Sequence, residues 1–215
     1  MQISSQSADA FARLALAACA VLAIGTPAFL MWWVTTPYVT GQFYQTAQPV
    51  PFDHRHHVVD DGIDCLYCHV DAAHSPHAGV PPTELCLNCH SQIWDHSPAL
   101  ALVWRSRLED RPIPWRRVTF LPDFVFFNHA IHVRKGVGCE TCHGRVDEMA
   151  RVYQVAPLTM GWCLDCHRDP APHLRPEDAV TVMGYAPARP QAVVGRELLQ
   201  QYHVRSITNC SGCHR

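Results

Sequence analysis

Phe127-Asn128-His129-Ala130-Ile131-His132-Val133, with Gly136-Val137-Gly138-Cys139-Glu140-Thr141-Cys142-His143 close behind it, is the stretch that decides the fold. Two histidines three apart precede two cysteines three apart, and a third histidine follows the second cysteine. The C-x-x-C-H unit occurs five times: Cys65–His69, Cys86–His90, Cys139–His143, Cys163–His167 and Cys210–His214. Together the five units use ten of the 11 cysteines; the other, Cys19, lies in an apolar run and is expected to be a small buried hydrophobe. Cysteine pairs alone suit disulfides, zinc or haem. A histidine at one fixed offset after every pair selects haem attachment, because zinc ribbons need the cysteines but not that neighbour.

The opening stretch also has an earlier copy. Phe52-Asp53-His54-Arg55-His56-His57-Val58 fits the same F-x-H-x-x-H-V pattern and precedes Gly62-Ile63-Asp64-Cys65. Each copy is followed by a second haem motif, Cys86-Leu87-Asn88-Cys89-His90 or Cys163-Leu164-Asp165-Cys166-His167. Self-similarity of this kind means duplication of one unit. The chain is therefore expected to divide into an anchor (1–37), a first dihaem module (38–97), a linker (98–124), a second dihaem module (125–170), and a proline-rich coil carrying the fifth motif (171–215). Prolines at 170, 172, 176, 187 and 190 favour extended coil over helix across residues 170–192.

Each of these residue types has a chemical reason. Cys65, Cys68, Cys86, Cys89, Cys139, Cys142, Cys163, Cys166, Cys210 and Cys213 would attach five haem c groups. His69, His90, His143, His167 and His214 would then be the proximal iron ligands. A strong ligand on the opposite face gives a six-coordinate, electron-carrying iron, whereas an open face binds substrate. Histidines three apart share one side of a helical turn and reach two different irons more readily than one. His54, His57, His129 and His132 are therefore the candidate distal ligands, with His54 and His129 assigned to the first motif of their own modules. One iron is left over. Met160 is its candidate ligand and His203 the runner-up; His56, His74, His77, His96, His173 and Met183 are the remaining possibilities. The competing reading of Met160 is core packing.

Residues 12–34 are almost wholly apolar, with Arg13 the one charge. At about 1.5 Å per residue, such a run crosses a hydrocarbon layer of about 30 Å. Trp32, Trp33 and Tyr38 stand where interfacial aromatics belong. The run is longer than a signal-peptide core and its exit lacks an A-x-A pattern, so an uncleaved single-pass anchor is expected, with the haem-bearing part on the periplasmic side. A net charge of -2 argues against nucleic acid or an anionic lipid surface as a partner, because both ask for a basic excess. Regular structure is expected to be sparse: a multihaem cytochrome c of short helices and coil, wrapped around its haems, behind one transmembrane helix.

The order of these features resembles the membrane-anchored pentahaem cytochrome c subunits of bacterial alternative complex III. The likeness covers nearly the whole chain: the anchor, both F-x-H-x-x-H-V pairs, Ala78-Gly-Val-Pro-Pro-Thr83, Leu121-Pro-Asp-Phe-Val-Phe-Phe-Asn-His129, Leu158-Thr-Met-Gly-Trp-Cys163, and Asn209-Cys210 with Cys213-His214. Leu87 departs from the methionine usual in that family. The resemblance implies electron transfer within a quinol-oxidising complex of a respiratory chain. It also implies partners: an iron–sulfur subunit related to molybdoenzymes, polytopic quinol-binding subunits, a monohaem cytochrome c, and a downstream carrier or oxidase. A quinol dehydrogenase or multihaem reductase acting on its own is the alternative.

Overall fold

The structure is a computed structural model and describes residues 5–214. The expected anchor (1–37) and C-terminal part (171–215) each run past these limits, and residues 1–4 and 215 lie outside the described residues. The chain divides between Gly41 and Gln42 into two compact units.

In the first unit, helix α1 spans Ser5–Trp33 and the short helix α2 spans Pro37–Thr40. α1 is rich in alanine and leucine, both strong helix formers. It runs unbroken through Pro27, whose missing N–H costs one backbone bond. At its end the hydroxyls of Thr35 and Thr36 donate to the Trp32 and Trp33 carbonyls at 2.8 and 2.7 Å, satisfying groups the helix leaves unpaired. Residues 7–33 have a mean hydropathy of 2.2, enough by length and composition to cross a membrane. Its apolar side chains face outward along the whole length, and Cys19, expected to be buried, is exposed there with them. Trp33 and Tyr38 pack at 5.5 Å beyond the apolar stretch.

The second unit is helix and coil. Its described residues form no sheet, only isolated bridges such as Val137 with Leu174. Its helices are α3 (Cys65–Cys68), α4 (Thr83–His90), α5 (Ala101–Glu109), α6 (His129–Arg134), α7 (Cys139–His143), α8 (Met160–Arg168), α9 (Gln191–Gln201) and α10 (Cys210–Cys213). Every C-x-x-C-H motif sits on one of these turns, which is the local structure its spacing requires: cysteines three apart share a helix face.

Two small apolar clusters hold the second unit together. Val50, Leu100, Val103 and Ile113 form one, with Leu87, Trp104 and Trp115 packed against them. The expected linker 98–124 is thus more than a connection: α5 lies against α4, and Thr83 and Ser106 share a hydroxyl hydrogen bond of 2.7 Å. Leu174, Val194 and Leu198 form the other cluster, with Val137, Leu199, Tyr202 and Val204 around them. It depends on α9, a helix that the proline count concealed. Pro190 is the last proline before it, and helical periodicity begins at Gln191.

A candidate multihaem site

The two F-x-H-x-x-H segments fold alike. His54 opens a π-helical turn, Arg55–Asp60, and His129 opens α6. Asn128 caps α6, its side-chain oxygen accepting from the Ile131 amide at 3.2 Å. Removing that cap by Asn128→Ala should cost about 1 kcal/mol. A fall in the thermal midpoint, with unchanged haem content, would check it. The leading phenylalanine has a task that the sequence pattern did not explain. Phe52 stacks on His57 at 4.4 Å and meets His54 edge-on at 4.8 Å. Phe127 stacks on His132 at 4.5 Å and meets His129 edge-on at 6.0 Å. One ring therefore orients both histidines of its pair.

Three of these histidines face motif histidines. His57 lies 6.1 Å from His90, His129 lies 6.3 Å from His143, and His132 lies 5.9 Å from His167, between ring centroids. Metal–imidazole bonds are about 2 Å, and two rings bound on opposite sides of one ion have centroids about 6 Å apart. His54 and His69 lie near each other, and also near His129 and His143, so four histidines gather where the modules meet.

Hydrogen bonds set the tautomers. The Nδ1 atoms of His57, His90, His129 and His132 lie 2.8–3.2 Å from the carbonyl oxygens of Asp53, Ile93, Ala72 and Asn128. His214 Nδ1 lies 3.1 Å from the Phe124 carbonyl, and His69 Nδ1 lies 3.4 Å from that of Gly79. A carbonyl can only accept, so each Nδ1 carries the proton and each Nε2 keeps its lone pair free. A metal-bound histidine is oriented in just this way. His54 Nδ1 is buried without a partner. Among the described residues no three or more His, Cys, Asp or Glu are placed to hold one metal ion as a zinc site needs. Paired histidines beside paired thiols fit haem c.

Electrostatics favour the ligand form. Burial pushes His54 down to about 4, with His69 and His57 nearby adding to it. Burial likewise takes His143 to about 4 and lowers His69 and His132. The sign follows. Above pH 6.5 these rings are neutral folded or unfolded; between 6.5 and about 4 the unfolded chain takes up protons that the buried rings refuse. Stability should fall as pH drops through that window and flatten below it. An unfolding midpoint that stays level between pH 6.5 and 4 would show that the folded chain does not hold these rings neutral.

The thiols fall into neighbouring groups. Burial raises Cys68, and Cys86, Cys65 and Cys89 lie close enough to add to it. The Cys65 thiol pairs with that of Cys139 and keeps the proton, so Cys65 is pushed up and Cys139 down. Burial takes Cys142 up to about 12, with Cys166 and Cys163 beside it. Cys163 is raised by burial and next by Cys213. In space the motifs therefore adjoin in the order second, first, third, fourth, fifth.

Residues 125–215 are similar to cytochrome c7 and related cytochromes c. That likeness implies covalently attached haem c. The second unit's earlier copy, 52–90, repeats the same histidine and cysteine pattern ahead of the matched region. Over 113 residues the chain is 33% identical to the multihaem cytochrome c subunit of menaquinone reductase from Nitratidesulfovibrio vulgaris. The alignment covers 52% of this chain and 51% of that one, so the chain spans about half the length of the curated relative it matches. The chain is thus similar to multihaem cytochromes c over its C-terminal part and over the stretch aligned with that subunit.

The remaining candidates are placed as follows. Met160 is the first residue of α8 and is 68% exposed, so no protein core surrounds it. His203 stands in a left-handed conformation (φ 50°) after α9. His56 pairs with Asp60 at 2.7 Å and His96 with Asp95 at 3.3 Å, both at the surface. His74 and His173 end 3-10 turns, and Met183 lines a cleft with Asp64, Cys65 and Thr181.

Proposed function

We propose that the chain is a pentahaem c-type cytochrome that transfers electrons within a membrane-bound quinol oxidoreductase of the alternative complex III kind. The observation that carries this reading is the set of facing histidine pairs, each joining an F-x-H-x-x-H segment to a C-x-x-C-H motif. Haem c held between two histidines takes up and gives out single electrons without binding substrate. The ten motif cysteines hold five such groups, and His69, His90, His143, His167 and His214 ligate them from one side. His57, His129 and His132 serve the second, third and fourth motifs from the other side, and His54 serves the first. Met160 is assigned opposite His214: it lies on α8 three residues before Cys163, whose thiol has Cys213 for a neighbour.

α1 anchors the chain, and the second unit works on the periplasmic side. One apolar helix offers little with which to enclose a quinol, so the quinol site is assigned to polytopic partner subunits. An iron–sulfur subunit, a monohaem cytochrome c and a downstream carrier or oxidase complete the assembly. The test is reduction by a quinol analogue, with and without the co-purifying subunits. Reduction only in the intact assembly is expected. Equal reduction of the isolated chain would make it a quinol dehydrogenase in its own right.

A further inference from the structure

The segment from Leu174 to Gly184 belongs to none of the motifs, yet it touches two of them. Towards the third motif, the Arg175 amide donates to the Gly136 carbonyl at 2.8 Å and the Val180 carbonyl accepts from the Cys139 amide at 3.0 Å. The Arg175 guanidinium is buried, with 9% of its side chain exposed. It bonds Glu140 at 2.7 Å and the Val182 carbonyl at 2.9 Å, and lies 5.0 Å over the Tyr185 ring. The other Glu140 oxygen accepts from the Gly184 amide at 2.5 Å. Glu140 stands between Cys139 and Cys142, so this ion pair is seated inside the third motif.

Towards the first motif, Thr181 makes two contacts. Its hydroxyl donates to Asp64 Oδ2 at 2.6 Å, and its carbonyl lies 3.8 Å from Cys65 Sγ. Asp64 Oδ1 meanwhile caps α3 at the Leu66 amide, at 2.8 Å. Neighbouring residues of one short segment therefore grip Cys139 and Cys65, where the two modules meet.

The glycines of the third motif admit this grip. A Cβ on Gly138 would stand 2.2 Å from the Arg175 guanidinium, and one on Gly136 would stand 2.6 Å from the Arg175 carbonyl oxygen. Gly136 also holds a positive φ of 80°. An exposed coil would need neither glycine.

We infer that Thr181 and Arg175 are positioning residues: they clasp the first and third haem-attachment motifs together and so fix the junction through which the two dihaem modules communicate. The inference rests on the electron-transfer reading above. One electron crosses at this junction at a time; the acceptor side is reduced by one as the donor side is oxidised by one, and no bond or proton moves. The chain order of the modules does not supply this contact. The clasp does, which is why the neighbour order starts at the second motif and turns back through the first.

The experiment is a potentiometric titration of the full-length chain in detergent, with the electron paramagnetic resonance spectrum followed in parallel. Wild type, Thr181→Val, Thr181→Ser and Arg175→Lys are compared. In Thr181→Val, two of the five components are expected to shift by about 60 mV, a tenfold change for a one-electron couple, while three stay. Their spin–spin broadening should weaken. Thr181→Ser, which keeps the hydroxyl, should restore both signals, and a generally loosened fold would not be rescued in that way. Arg175→Lys should move the same two components. A fully loaded Thr181→Val chain with wild-type potentials and spectrum would overturn the inference. If a variant loses haem, peptide mass mapping decides: loss confined to the first and third motifs supports the clasp, and loss elsewhere counts against it. A wild-type chain that lacks haem at either motif would instead sink the pentahaem reading itself.

Discussion

Replacing His132 with alanine is expected to give the chain about one additional carbon monoxide binding site, because it strips one strong ligand from a six-coordinate centre. His132 faces His167 at 5.9 Å, and its Nδ1 is tied to the Asn128 carbonyl at 2.8 Å, so only Nε2 is available to a metal. Phe127 stacks on the ring at 4.5 Å and helps to hold it there. His56→Ala is the control. That ring lies one residue from His57 in the equivalent segment but points to the surface, paired with Asp60. It should bind no more carbon monoxide than wild type. If His132→Ala binds none either, His132 is not a ligand and the pairing of the fourth motif fails.

Replacing Gly195 with alanine is expected to destabilise the second unit by about 3 kcal/mol, at the severe end for one added methyl group. The added Cβ would stand 1.9 Å from the Ala171 carbonyl oxygen and 2.7 Å from its carbon. Both are backbone atoms, so no side chain can swing away; α9 or the turn Ala171–His173 has to move. That movement opens the cluster of Leu174, Val194 and Leu198 and loosens the start of the clasp at Arg175. Gly25→Ala is the comparison, because nothing lies within 4 Å of a Cβ there. A thermal midpoint for Gly195→Ala within error of wild type would show that α9 is not seated on that turn.

Much of the site was legible because haem attachment writes itself into spacing. Cysteines three apart must lie on one helical turn, and five repetitions with a trailing histidine leave little else to read. The duplication of F-x-H-x-x-H-V was equally plain, and three of its four histidines face motif histidines. What could not be read is long-range. The partner of His129 in hydrogen bonding is the Ala72 carbonyl, 57 residues away, and Cys65 meets Cys139 across 74 positions. No periodicity encodes such contacts. α9 was hidden for another reason: a run of prolines up to Pro190 dominates its neighbourhood, although Pro at the entry to a helix is favourable. The stretch 98–124 reads as a linker because it joins the two modules in sequence, and it carries Trp104 and Trp115. Those tryptophans pack on the cluster of Leu100, Val103 and Ile113.

Two features of the sequence acquire a purpose in the structure. The phenylalanine that opens each histidine pair is a ring that packs on both histidines at once. The glycines of Gly136-Val-Gly138 make room for a buried arginine. Neither role needs a haem to be visible, since both follow from contacts within the chain.

Five haem c groups are expected to be held covalently, each by its own cysteine pair. Intact-mass spectrometry of the purified chain, followed by mapping of the modified peptides, tests this most directly. A mass increase of five haems is expected, with one at each of the five cysteine pairs. Fewer than five, or intact cysteine pairs that bind zinc instead, would contradict it.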